Sequence, residues 1–301
     1  MTWTAVADST FGTSNILAIA YGNGKFVAVD RLGQIAYSAD GITWTVSDHT
    51  SVLYSVRNGI AYGNGKFVVV GSTHYPYASE MVYSADGITW ISVPVPDDDQ
   101  IFDPNEIYCV AWCNDSFFVG CSNLRIDFGM MYSTDGITWN YLNNESGVIG
   151  AAYDIAYGNG RFVAVGDYAR MAYSTDGMTW TRVLDSTFIN RGINGIAWGN
   201  NMFVAVGEGK IAYSTDGITW TAVSNNTFAL NNIYDIAYGS GKFVAVGYRG
   251  RMAYSADGIT WTAVSNSRFN ATNNPEAIYG IAWGNGRFVA VGDNGKIAYS
   301  D

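Results

Sequence analysis

The sequence predicts an all-β fold: a seven-bladed β-propeller of four-stranded antiparallel blades, closed by pairing of the N-terminal strand with the C-terminal blade. Three observations carry this. Six full copies of Ser-x-Asp-Gly-x-Thr-Trp end at Trp44, Trp90, Trp139, Trp180, Trp220 and Trp261. A phenylalanine recurs at Phe26, Phe67, Phe117, Phe162, Phe203, Phe243 and Phe288, seven times at intervals of 40 to 50 residues. A seventh, shortened copy of the motif is split between the chain ends, Tyr299-Ser300-Asp301 and Met1-Thr2-Trp3. A fixed period of about 40 residues with four short strands in each is the mark of a propeller. A fixed repeat outranks the domain count suggested by length, so residues 1–301 are expected to form one domain.

Each element follows from local chemistry, most clearly over residues 233–264. Ile233-Tyr234-Asp235-Ile236-Ala237-Tyr238 reads as a first strand, and Gly239-Ser240-Gly241-Lys242 as a tight turn. Phe243-Val244-Ala245-Val246 and Arg251-Met252-Ala253-Tyr254 follow as strands, and after Ser255-Ala256-Asp257-Gly258 comes Ile259-Thr260-Trp261-Thr262-Ala263-Val264. The runs are β-branched or aromatic and bounded by Gly, Asn and Asp. Asn23-Gly24, Asn64-Gly65, Asn159-Gly160 and Asn285-Gly286 favour two-residue hairpins, because both residue types tolerate positive φ. The second and third strands are apolar on both faces, so each sheet must be sandwiched between neighbours. Residues 2–6 then supply the outer strand of the last blade.

The repeated motif resembles the Asp-box of BNR-type propellers, found in sialidases, some glycosidases and assembly factors, although this chain is one residue shorter between Asp and Gly. The resemblance implies a structural turn in which Asp40, Asp86, Asp135, Asp176, Asp216, Asp257 and Asp301 accept backbone N–H bonds.

Composition excludes several functions. Net charge is −10 and pI near 4.5, which argues against nucleic acid or an anionic membrane as partner. No apolar run is long enough for a membrane-spanning helix, and no Sec-type leader is visible. An extracellular or virion-associated place is favoured. Cys109, Cys113 and Cys121 all lie in the third repeat. Pairing the hairpin around Asn114-Asp115 sets Cys109 opposite Gly120 and Cys121 opposite Tyr108, on opposite faces, so buried free thiols are expected. No metal or cofactor is expected.

In an up-and-down blade the first and third turns share one end, and these are the near-invariant turns. Variation falls at the other end, in the second turns and blade links. A rigid scaffold with variable loops on one rim is the usual arrangement of a binding site. Three groups stand out there. Leu17, Asn58, Tyr108, Tyr153, Asn194, Tyr234 and Tyr279 begin the innermost strands, beside Asp154 and Asp235; they are expected either to form a polar-aromatic ligand ring or simply to rim the channel. Phe11, Phe188, Phe228 and Phe269 recur in the links, as repeated pockets or as caps on blade junctions. Insertions at 72–80, 94–106 and 122–129 form a crest with His74, Tyr75 and Tyr77. Its acidic run, Asp97-Asp98-Asp99, reads as a solvated charge cluster.

The leading functional expectation is a non-catalytic binding propeller that recognises surface carbohydrate, as a lectin, adhesin or phage-like receptor-binding module. The partner would be a glycan or a host or cell-surface protein. The alternative is a protein-binding scaffold or assembly factor. A glycoside hydrolase or polysaccharide lyase is a second alternative, with carboxylates drawn from Asp154 and Asp235. No P-loop, dinucleotide fingerprint, zinc motif or Ser-His-Asp order appears.

Overall fold

A computed structural model shows seven four-stranded antiparallel sheets, each a meander from an inner strand at the central channel to an outer strand at the rim. It describes residues 1–48, 56–72, 79–95, 106–122, 129–142, 151–270 and 275–300, without the side chains of 56, 57, 106 and 122. The inner strands of blades 1 to 7 are Ile16–Gly22, Val56–Gly63, Glu106–Cys113, Ala152–Gly158, Ile193–Gly199, Ile233–Gly239 and Ile278–Gly284. The ring closes as the split motif predicts. Trp3 pairs with Ser300, Thr4 with Tyr299 and Ala5 with Ala298, and the Val6 amide donates to Ile297 O at 2.9 Å.

The blades are apolar on both faces because every junction is a core. Seven buried clusters each combine residues of two successive blades, such as Phe26 and Ala28 of blade 1 with Val289 and Val291 of blade 7. Trp3 is 1% exposed and joins the cluster between blades 6 and 7. Burying each large apolar side chain contributes about 1.5–3 kcal/mol. Where strands converge on the axis there is no room for a Cβ. One built on Gly199 would stand 2.1 Å from Tyr238 Cγ of the next blade. The same position takes Gly22, Gly63, Gly158, Gly239 and Gly284, each under the next blade's aromatic ring.

The repeated turn is a closed hydrogen-bond unit. In blade 6, Asp257 Oδ1 accepts from the Ser255 hydroxyl and the amides of Ile259 and Thr260 at 2.7–2.9 Å, while the Gly258 amide donates to Ser255 Oγ at 2.8 Å. Blades 1 to 5 repeat this with Asp40, Asp86, Asp135, Asp176 and Asp216. The amides of Thr260 and then Ile259 draw the Asp257 carboxyl down to about 2. Asp301 lies outside the described residues.

The same face carries a device that sequence reasoning missed. The side chains of Asn23, Asn64, Asn159, Asn200 and Asn285 donate to Ala85, Thr134, Thr215, Ala256 and Ala39 O at 3.0–3.4 Å. Each of these five first-turn asparagines therefore latches onto the Ser-x-Asp-Gly turn of the following blade. Asn285 to Ala39 does so across the ring closure.

The three cysteines are buried and free. Cys109 faces Gly120 as expected, but Cys121 pairs with Ile107 and not Tyr108, because the inner strand bulges between Ile107 and Cys109.

Candidate functional site

That bulge recurs in every blade and builds the site. Register shifts fall between Ile16/Ala18, Arg57/Gly59, Ile107/Cys109, Ala152/Asp154, Ile193/Gly195, Ile233/Asp235 and Ile278/Gly280. The skipped residues are Leu17, Asn58, Tyr108, Tyr153, Asn194, Tyr234 and Tyr279, the ring singled out from the sequence. A bulged residue leaves the ladder and its side chain is re-aimed. Together the seven line one end of a cavity of about 730 Å³ on the propeller axis.

The aromatic members are packed in pairs. Tyr108 and Tyr153 meet edge-on at 5.4 Å and 65°, and Tyr234 and Tyr279 at 5.5 Å and 40°. Asn194 donates to Ile233 O at 2.8 Å, and Asn58 donates to Ile107 O. Burial, then a hydrogen bond to Asp293, pushes the Tyr279 hydroxyl up to about 12. The ring is thus held by its neighbours before any ligand arrives.

Asp154 and Asp235 sit one residue deeper, on the cavity wall, and reach into the next blade. Asp154 accepts from the amides of Ile155 and of Ile196 in blade 5, both at 2.8 Å. Asp235 accepts from Ile236 at 2.7 Å and from Ile281 in blade 7 at 2.8 Å. These amides belong to the free edges of inner strands, which have no ladder partner on the channel side. The matching positions of the receiving blades are Gly195 and Gly280. Burial pushes Asp154 up to about 7 and, together with the Asp154 charge, Asp235 up to about 8. Both carboxylates line the axial cavity and at the same time staple successive blades through these amides.

Phe11, Phe188, Phe228 and Phe269 are at most 5% exposed and fill blade junctions, each in a different core cluster. They cap the junctions, and a smaller cavity of about 300 Å³ adjoins Phe228. His74, Tyr75, Tyr77 and the acidic run Asp97-Asp98-Asp99 lie outside the described residues. Among the described residues no group of three or more His, Cys, Asp or Glu side chains is placed to hold a metal. Among the described residues, no helix is long and apolar enough to cross a membrane.

The geometry defines the class: a closed seven-bladed propeller with a monotonous face of latched turns and an opposite face of irregular loops around a polar-aromatic cavity. A family model described as the DUF6242 beta propeller domain matches residues 155–282, from the inner strand of blade 4 to that of blade 7. No curated protein matches the chain significantly. Among solved structures, "YCF48 bound to D1 peptide" is similar, with a TM-score of 0.72 at 19% identity, covering 99% of this chain and 97% of that one. YCF48 from Cyanidioschyzon merolae has a TM-score of 0.73 at 17% identity, covering 99% and 98%. The WD40 propeller domain of Doa1 has a TM-score of 0.70 at 10% identity, covering 99% and 95%. Identities this low show the fold alone, and the relation of the Ser-x-Asp-Gly turn to BNR proteins is not part of it.

Proposed function

We propose that this chain is a non-catalytic propeller that binds an extended segment of a partner protein across the mouth of its channel. The observation that carries the reading is the ring of seven bulge-presented residues over the axial cavity. Tyr153, Tyr234 and Tyr279 give amphipathic contact area at small entropic cost, and the cavity has the volume of a ligand site. Support comes from the similar propeller YCF48, solved bound to a D1 peptide. A sugar stacks on an open ring face. The paired tyrosines turn ring edges and faces to one another, which favours a peptide over the carbohydrate expected from composition. Hydrolysis is disfavoured because all four oxygens of Asp154 and Asp235 already accept backbone amides.

The test is selection of linear peptides from a random display library on the immobilised protein, alongside a glycan array. Selected peptides should lose about tenfold in affinity or more with Tyr153→Ala or Tyr234→Ala. Failure to enrich any peptide, or enrichment indifferent to both variants, refutes the reading. Binding on the glycan array alone restores the carbohydrate reading.

A further inference from the structure

Five of the large apolar side chains exposed to solvent gather on one arc; Leu32 (76%), in the second turn of blade 1, and Ile91 (51%) and Val46 (46%), in the outer strands of blades 2 and 1, lie elsewhere. Leu184 is 97% exposed, Leu230 80%, Ile189 77%, Tyr168 67% and Tyr248 41%. All five lie in second turns or blade links of blades 4 to 6, on the irregular face. The loops that carry them are bonded in sequence around the rim. The Ala169 amide donates to Arg191 O at 2.7 Å, the Gly209 amide to Asn231 O at 3.2 Å, and the Tyr248 amide to Asn232 O at 2.9 Å. The arc also abuts the channel mouth: a Cβ on Gly192 would lie 3.3 Å from Asn194 Oδ1 and 3.8 Å from the Tyr153 ring.

The fold does not require apolar side chains at these places. The position of Leu184 is filled in other links by Ala7, Ser224 and Ser265, that of Ile189 by Gly12, Ala229 and Asn270, and that of Leu230 by Thr13 and Asn190. On the opposite face the exposed aliphatics are a property of the repeat: Ile42, Ile137, Met178, Ile218 and Ile259, one to a blade and 37–42% exposed. The arc has no such repeat behind it. Its presentation is fixed in advance, since Tyr168, Thr187, Asn190, Ala229 and Arg249 hold left-handed backbone with φ between 50° and 68°. Non-glycine residues stay there only where their surroundings impose it. A surface ordered before binding loses less entropy on association.

Charge selects the partner. Within a chain of net charge −10, the loops of the arc carry more cations than carboxylates. Arg191, Arg249, Arg251 and Arg268 are exposed. Three of these guanidinium groups donate to main-chain oxygens, of Glu208, Thr227 and Trp3, while Arg249 lies 5.3 Å from the Tyr248 ring. The ion pair formed among described residues, Lys296 with Glu276, involves none of them. Tyrosine and arginine around aliphatic anchors is the composition of a protein-binding hot spot.

We infer that the arc over blades 4 to 6 docks an acidic, apolar segment of a partner protein, continuing outward from the channel mouth. This rests on the proposed peptide-binding reading and names the chemistry of its partner.

The test uses three labelled peptides of one length: one of Leu, Tyr and Glu, one with Lys for Glu, and one with Ser for Leu and Tyr. Fluorescence anisotropy on the intact protein should rank the acidic apolar peptide first, at least about tenfold over the other two. Its affinity should fall with added salt. Arg249→Glu with Arg191→Glu should reverse the preference between the Glu and Lys peptides. Leu230→Ser with Leu184→Ser should weaken both apolar peptides and leave the charge preference in place; serine already stands at the Leu184 position in other links. Equal binding of all three, preference for Lys, or a ranking unchanged by the arginine variants overturns the inference. So does self-association through the arc, read by sedimentation and abolished by the leucine variants. Those outcomes spare the channel-mouth reading if library peptides still bind and still depend on Tyr153. Conversely, acidic-peptide binding that ignores Tyr153→Ala upholds the arc and refutes the mouth.

Discussion

Removing the two wall carboxylates should change the pH dependence of stability in a way no surface aspartate can. Asp154 and Asp235 rise from an ordinary 3.8 to about 7 and about 8 in the folded chain. Between about pH 4 and those values the folded state holds protons that the unfolded state has released, so stability falls as pH rises, and the loss levels off above the folded pKa. At about 1.4 kcal/mol per pH unit the ceiling is about 4 kcal/mol for Asp154 and about 6 for Asp235. Their sum would rival the whole stability of an ordinary domain, about 5–15 kcal/mol. Both side chains border a cavity with room for water, which screens them, and a combined loss of about 2–4 kcal/mol is expected. Asn at either position keeps one acceptor for two amide donors, costing about 1–3 kcal/mol at all pH. Asp154→Asn/Asp235→Asn should therefore be less stable than the parent near pH 4.5 and close to it, or more stable, near pH 9. Guanidinium denaturation at both values measures this. A parent stability that is flat or rising across the interval, or a slope that survives in the double variant, would refute the reasoning.

Three further outcomes follow from the same geometry. Asp257→Ala removes the acceptor of two amides and a hydroxyl and should cost about 1–2 kcal/mol by thermal unfolding. Because that carboxyl is held down to about 2, its contribution is present above about pH 4 and fades as pH falls toward 2, opposite in sign to the wall pair. Gly284→Ala, whose Cβ would stand 2.0 Å from Tyr21 Cγ, should lose about 1–3 kcal/mol at the ring closure, read as a lower denaturation midpoint. Trp3→Ala should cost about 3–5 kcal/mol, since the indole is buried in the last junction; a loss under about 1 kcal/mol would mean that the terminal strand does not seal the ring.

Much of this molecule was legible in its residues. Strand and turn chemistry repeats within some 40 residues, so Phe243-Val244-Ala245-Val246 and Ser255-Ala256-Asp257-Gly258 announce their conformations locally. The ring of Tyr108, Tyr153, Tyr234 and Tyr279 was visible as a position in the repeat, though not the bulge that lifts it from the ladder. One extra residue on one strand has no signature without its partner strand. The exposed arc left a faint trace, as apolar residues at link positions where sister links carry Ser, Gly or Asn.

Sequence alone settled the blade count, the terminal strand exchange and the division into a uniform and a variable side, because turn preference and two-faced apolarity act between near neighbours along the chain. Packing alone decided the rest. That Asp154 and Asp235 bond to Ile196 and Ile281 and that Asn23 latches Ala85 depends on groups 42 to 62 residues apart, and the joining of the loops of three blades in one arc on groups in different turns and links. Their distance is set only when the blades are pressed together around the axis.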